Sequence, residues 1–316
     1  MMSAKGQDRY LAALELSWKT STARETLANF AEDVAAHTMN NISSLASPTF
    51  RVLGVGSGNG KSDLRILNSI ATAINSSQKK KPVIHTAIVE PSSVLIQEFK
   101  SSLTSLPQPL KSLADVSFEW HRKTFQQFLE SLPHEEYFDM IHFVAALYYM
   151  DAESSLKGCL QLLANGGAMF CTVGPKKSFF PKLAVKLNTV GVELVKLGLV
   201  NKLYTEVDVV EIAQRNNWKY KKLWTVQYNA EITSCFDETS ADGALLLDFL
   251  THQENFRANA DKMAYKEVME FLKKECTTDE IGKKFVKPEI TSVLFCTAYF
   301  TANVSYAVEY CVDECR

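Results

Sequence analysis

Three glycines at alternate positions, Gly56, Gly58 and Gly60, follow the apolar run Arg51 to Val55 and precede a helix-periodic stretch. Glycines in a strand-to-helix turn let backbone amides approach a ligand at the carboxyl edge of a parallel sheet. A second apolar run, Val83 to Val89, ends in Glu90, whose carboxylate is placed to accept hydrogen bonds from both hydroxyls of a ribose and to repel a 2′-phosphate. A fourth run, Phe138 to Val144, leads into the pair Tyr148 and Tyr149, ring faces that attract cations and stack on flat heterocycles. No Ser-His-Asp set or metal-ligating set accompanies these residues, so neither a protein nucleophile nor a metal is expected.

The glycine turn admits three ligands. A phosphate-binding loop needs G-x-x-x-x-G-K-[ST]; Gly60-Lys61-Ser62 complies, but Val55 stands where the first glycine must be. A dinucleotide fingerprint needs G-x-G-x-x-G, and the third glycine here comes one position early, which leaves a nicotinamide oxidoreductase as a distant reading. The spacing G-x-G-x-G suits an uncharged nucleoside with an amino-acid tail, as in S-adenosylmethionine, and Glu90 favours that ligand. Against all three stands a plain tight turn followed by an ordinary exposed glutamate.

The elements that must position these residues follow from periodicity. Residues 10 to 38 read as one helix, and Leu64, Leu67, Ile70 and Ile74 mark the next. Strands are expected at 51–55, 83–89, 116–120, 138–144 and 168–173, with Ser92 and Ser93 capping a helix that runs through Leu103. A helix from Ala152 to Leu163 is expected to stop at Asn165-Gly166-Gly167. Later, Phe179 to Leu203 and Ala241 to Cys276 read as largely helical, while Trp218 to Ala230 and Val293 to Asn303 read as strands closing the sheet in antiparallel fashion. This order predicts a doubly wound α/β fold, a mostly parallel sheet with helices on both faces. The expected division is 1–50 as a helical substrate lid, 51–177 as the cofactor-binding core, 178–304 as remaining strands and substrate helices, and 305–316 as a tail.

Composition narrows the partners. With 34 Lys plus Arg against 36 Asp plus Glu, the net charge of −2 offers no basic footprint for nucleic acid, so a small-molecule partner and a monomer are expected. The seven scattered cysteines lack a CxxC pair and read as reduced thiols, and MMSAKGQDRYLAALELSW has no long apolar core after a basic start. A cytoplasmic address without a membrane span is expected. His142, between Ile141 and Phe143, reads as a core histidine.

Tyr10, RVLGVGSGNGKSDLRIL at 51–67, IVEPS at 88–92, FEWHRKT at 118–124, FDMIHFVAALYYMD at 138–151 and LLDFL at 246–250 together resemble the histamine N-methyltransferase family, in order over roughly residues 10 to 300. The resemblance implies a class I S-adenosylmethionine methyltransferase fold, Rossmann-like, with a seven-stranded, mostly parallel sheet and a small helical substrate domain. It implies cofactor contacts from Gly56, Gly58, Gly60, Glu90, Leu95, Thr124, Phe125 and Val144, with Leu95 and Phe125 standing where the family carries glutamine and serine. It implies an acceptor pocket from Tyr10, Ala23, Ala145, Tyr148, Tyr149, Phe180, Phe249 and Thr297.

Three polar positions of the pocket, and one aromatic one, depart from the family. Its glutamate on the first helix, its glutamine after the fourth strand and its asparagine on the last strand are replaced by Ala23, Ala145 and Thr297, and Phe180 and Ala184 replace two tryptophans. Glu25 sits two residues from Ala23, a rotation of about 200° along a helix, and faces the other way. Arg24 meets a substrate carboxylate if the helix alignment slips by one. The expected activity is therefore direct methyl transfer to a small amine or imidazole, histamine-like or carnosine-like, in a more apolar pocket. The alternative is a non-catalytic binding protein that keeps the fold.

Overall fold

The computed structural model describes residues 4–42, 49–78, 81–105, 109–132, 137–192 and 202–296. Ten strands are formed: β1 (Thr49–Val55), β2 (Val83–Val89), β3 (Asp115–His121), β4 (Phe138–Phe143), β5 (Leu163–Val173), β6 (Tyr220–Gln227), β7 (Ala230–Glu231), β8 (Thr277–Thr278), β9 (Lys284–Val286) and β10 (Glu289–Cys296). The helices are α1 (Ala4–Lys19), α2 (Ala23–Met39), α3 (Lys61–Gln78), α4 (Ser93–Ser102), α5 (Leu110–Leu113), α6 (Phe125–Ser131), α7 (Ala152–Gln161), α8 (Phe179–Thr189), α9 (Glu206–Arg215), α10 (Ala241–Thr251), α11 (Phe256–Asn259) and α12 (Lys262–Glu275).

Seven strands form one sheet in the order β3-β2-β1-β4-β5-β10-β6. Strands β1 to β5 pair in parallel, and β10 runs antiparallel to both β5 and β6. Apolar residues on both faces of β1 explain its central place. Phe50 and Val52 join a core with α2 and α3, while Leu53 and Val55 join a second core with α6, α7 and α9. A third apolar cluster belongs to α8, α10, α11 and α12, roofed by the small sheet β7-β9-β8. The strand order reverses between β1 and β4, and a doubly wound sheet opens its ligand crevice at such a reversal.

The structure departs from the sequence reading in three places. The single helix expected over 10–38 is two, broken at Thr20-Ser21-Thr22. Thr20 O accepts from Glu231 N at 2.8 Å, Thr22 N donates to Asn229 O at 2.9 Å, and Ser21 bridges Ala230, so the chain is drawn out toward β7. The expected 1–50 lid thus divides. Helix α2 buries Phe30, Ala31, Val34 and Ala35 against the sheet, whereas α1 packs on α10. There Arg9 Nε meets Asp248 at 2.6 Å, and Asp248 also accepts from Asn255 N and Phe256 N.

Helix α7 ends before the expected stop, and Asn165-Gly166-Gly167 lies inside β5, where the pairing with β4 shifts register between Phe138 and Met140. The last strand starts earlier than expected, at Glu289; its continuation past Cys296, Thr297 included, lies outside the described residues, as do 193–201 of the expected helix after Phe179.

Gly60 fixes how the glycine turn sits on the core. Its φ is +77°, and a Cβ there would lie 2.2 Å from the Phe99 ring, which is fully buried. Backbone strain and overpacking combine at this position. Gly60→Ala is expected to cost about 3 kcal/mol and to lower Tm by roughly 5 °C in thermal unfolding; an unchanged Tm would show that the turn is not packed as described.

Candidate active site

Glu90 anchors the crevice. It is 6% exposed, its Oε2 accepts from Gly58 N at 2.9 Å, and its Oε1 accepts from Ser92 N at 2.9 Å. Gly56 N donates to Val89 O at 2.8 Å, so the turn after β1 is stitched to the end of β2. Burial holds the Glu90 carboxyl above the usual carboxylate range, and the two backbone N–H bonds oppose that shift. Each oxygen uses one backbone donor and keeps acceptor capacity for another. Ser92 in turn caps α4, accepting from Leu95 N at 3.3 Å.

A cavity of about 1050 Å³ opens over this anchor. Gly56, Gly58, Glu90, Leu95, Thr124, Phe125 and Val144 line one part of it. Thr124 reaches its place as the N-cap of α6 in a capping box with Gln127, and Phe125 follows with its ring 5.7 Å from that of Phe143. Gly60 is set apart from the other two glycines: it lies beneath Phe99 and off the cavity wall.

Tyr10, Ala23, Ala145, Tyr148, Tyr149, Phe180 and Phe249 line the rest. Tyr10 Oη and Tyr149 Oη are 2.6 Å apart, joining α1 to the turn after β4, and the Tyr148 and Tyr149 rings sit 4.4 Å apart. Burial raises the phenol pKa values of all three tyrosines, so they stay neutral near pH 7. Ala145 holds φ +51°, an uncommon conformation for a residue with a side chain, with its N–H donating to Thr172 Oγ1 at 2.8 Å. Glu25 does not replace a carboxylate at Ala23, because it is ion-paired with Lys61.

Two features were absent from the sequence reading. Tyr228, just past the carboxyl end of β6, also lines the cavity, and burial raises its phenol pKa; an aromatic directly after a strand was the available signal. The other is a buried polar cluster. Ser57, on the cavity wall, donates to Asp63 Oδ1 at 2.7 Å, and His142 Nε2 lies 3.5 Å from the same oxygen. Gly54 makes room for it, since a Cβ there would stand 2.5 Å from both Asp63 Oδ1 and Ser57 Oγ. His142 is a core histidine, 2% exposed, as its apolar neighbours suggested.

No family model matches the chain. Histamine N-methyltransferase A of Xenopus laevis is 29% identical over 282 residues, covering 87% of this chain and 90% of that protein. Carnosine N-methyltransferase 2 of Gallus gallus is 25% identical, over 87% of this chain and 83% of that protein. Among solved structures, loganic acid methyltransferase with SAH superposes with a TM-score of 0.53 at 13% identity, covering 88% of this chain and 95% of that one. Fold, site and relatives define a class I S-adenosylmethionine-dependent methyltransferase. Within that class the chain is histamine N-methyltransferase-like.

The Asp63 cluster gives stability a pH signature. Burial pushes the Asp63 carboxyl up to about 7 from 3.8 and the His142 imidazole down to about 3 from 6.5. The raised carboxyl contributes stability that is full below about pH 3.8 and lost as pH rises through 7. The depressed imidazole contributes stability present above about 6.5 and lost as pH falls toward 3, so the two slopes oppose. Asp63→Asn removes only the first slope. The Tm of the variant minus that of wild type is expected to climb by several degrees between about pH 4 and 7 and then level off; a flat difference across that window would contradict a buried, neutral Asp63.

Proposed function

We propose that the protein transfers the methyl group of S-adenosylmethionine to a nitrogen of a small amine or imidazole compound, histamine-like or carnosine-like, by direct in-line displacement. The observation that carries the reading is Glu90, a buried carboxylate with spare acceptor capacity on both oxygens, facing a cavity whose floor at Gly58 has nothing within 4 Å of the missing Cβ. That floor admits a close ligand backbone, and the carboxylate suits two ribose hydroxyls. Gly56 and Gly58 would face the cofactor, with Gly60 seating their turn under Phe99, Glu90 would hold the ribose, and Leu95, Thr124, Phe125 and Val144 would enclose the base. Bound there, S-adenosylmethionine supplies a methyl group already activated on a sulfonium.

The chain's own residues have then to orient and to dry the site. Orientation of an acceptor nitrogen supplies around 7 to 11 kcal/mol of a barrier, without any protein nucleophile. Tyr10, Tyr148, Tyr149, Phe180 and Phe249 present ring faces that attract positive charge and stack on a flat acceptor. The neutral phenols do not compete as nucleophiles. Ala23 and Ala145 leave the acceptor without the polar grips of the family, and the helices of 178–304 with α1 would set its choice. In this reading the protein works as a cytoplasmic monomer on a small molecule, with no nucleic-acid or membrane partner. The near balance of charge supports the absence of a nucleic-acid partner, and among the described residues no helix is long and apolar enough to cross a membrane.

The test is calorimetric binding of S-adenosylhomocysteine together with transfer of labelled methyl from S-adenosylmethionine to histamine, carnosine, histidine and simple aryl amines. Wild type is expected to bind the product and to methylate at least one acceptor. Glu90→Gln turns an amide NH2 toward Gly58 N–H or Ser92 N–H and is expected to weaken binding 30- to 150-fold, about 2–3 kcal/mol. Binding without transfer to any amine would favour the non-catalytic alternative; no binding would refute the methyltransferase reading and leave a protein that kept the fold without its chemistry.

A further inference from the structure

We infer that Arg24 binds a carboxylate on the methyl acceptor, so that the acceptor is an amine or imidazole that also carries an acid group. The inference rests on the methyltransferase reading above and names the substrate class of that site. Arg24 lines the cavity beside Ala23, so a guanidinium stands on the wall at this point.

The guanidinium is held and unspent. Its Cζ lies 4.9 Å from the centroid of the Trp18 ring, and stacking of this kind fixes the plane of the fork. Its Nε is buried without a hydrogen-bond partner. The carboxylates nearest along the chain are committed elsewhere: Glu15 pairs with Lys19 at 2.8 Å, and Glu25 pairs with Lys61. Of the four acidic residues on the cavity wall, Glu231 is paired with Lys283 at 3.0 Å, Glu90 is held by backbone N–H groups, Asp151 caps α7 by accepting from Ser154 N at 2.8 Å, and Glu289 begins β10.

A desolvated guanidinium donor without a partner is costly, and a planar, bidentate carboxylate satisfies it best.

Placement also sets the acceptor's length. Tyr10, bonded to Tyr149, and Trp18, under Arg24, lie on the same helix about 12 Å apart along its axis. A molecule reaching from the tyrosines to Arg24 is therefore extended, with its acid at the end remote from the reacting nitrogen.

Acceptors that differ only in the carboxylate decide the matter: histidine against histamine, and β-alanylhistidine against β-alanylhistamine. Each is titrated into enzyme saturated with S-adenosylhomocysteine and, separately, assayed for methyl transfer from S-adenosylmethionine. The expected result is that the acid of at least one pair binds ten times tighter or more than its twin, with the longer pair showing the larger ratio. Arg24→Gln is expected to bring that ratio within threefold, and Arg24→Lys to leave an intermediate one, while both still bind S-adenosylhomocysteine. A wild type that prefers the amines or treats twins alike overturns the inference, as does an acid preference that survives Arg24→Gln. Absence of S-adenosylhomocysteine binding in wild type would sink the methyltransferase reading itself, and this inference with it.

Discussion

A carboxylate buried at the end of β2 governs the geometry of the site. Glu90 takes one backbone N–H from the glycine turn and one from the start of α4, so two loops that leave adjacent strands are fixed by a single side chain. Desolvation works against that charge, and the two bonds and a polar ligand work for it. Everything else on the cofactor side follows from keeping this arrangement rigid. Gly60 seats under Phe99, Gly56 donates to Val89 O, and Ser57 is tied back to Asp63.

The sheet places that carboxylate where a ligand can reach it. With β1 and β4 as the neighbours at the strand-order reversal, the turns after β1, β2, β3 and β4 all open on one crevice. The opposite wall comes from a third apolar cluster that is not part of the sheet. Helix α1 spans the two, docked on α10 through Arg9 and Asp248 and on the turn after β4 through Tyr10 and Tyr149. Substrate choice is thereby separated from cofactor binding: the sheet can stay fixed while the residues on α1, α2 and α10 change.

Much of this was legible in the residues. The β1 turn, the strands through β5 and the antiparallel closure follow from period and punctuation, because each is decided by local pattern. The α1–α2 break was not, since Thr20, Ser21 and Thr22 leave the helical period intact and their partner, β7, lies far along the chain. The extension of β5 through Gly166 was hidden for the opposite reason: Asn-Gly-Gly reads as a helix stop, and only pairing with β4 turns it into a bulged strand. In the site, Gly56, Gly58, Glu90 and the tyrosines were visible as types at strand ends. Asp63 was not singled out, because its burial depends on the absence of a side chain at Gly54, which no local pattern reveals.

Amide hydrogen exchange with and without S-adenosylhomocysteine tests most directly whether the Glu90 anchor is the cofactor site. Ligand is expected to slow exchange at Gly58, Ser92 and Leu95, whose N–H groups hold or neighbour the anchor, while β6 and β9, away from it, keep their rates. Protection confined to the α8–α12 helices, or none at the glycine turn, would contradict the account.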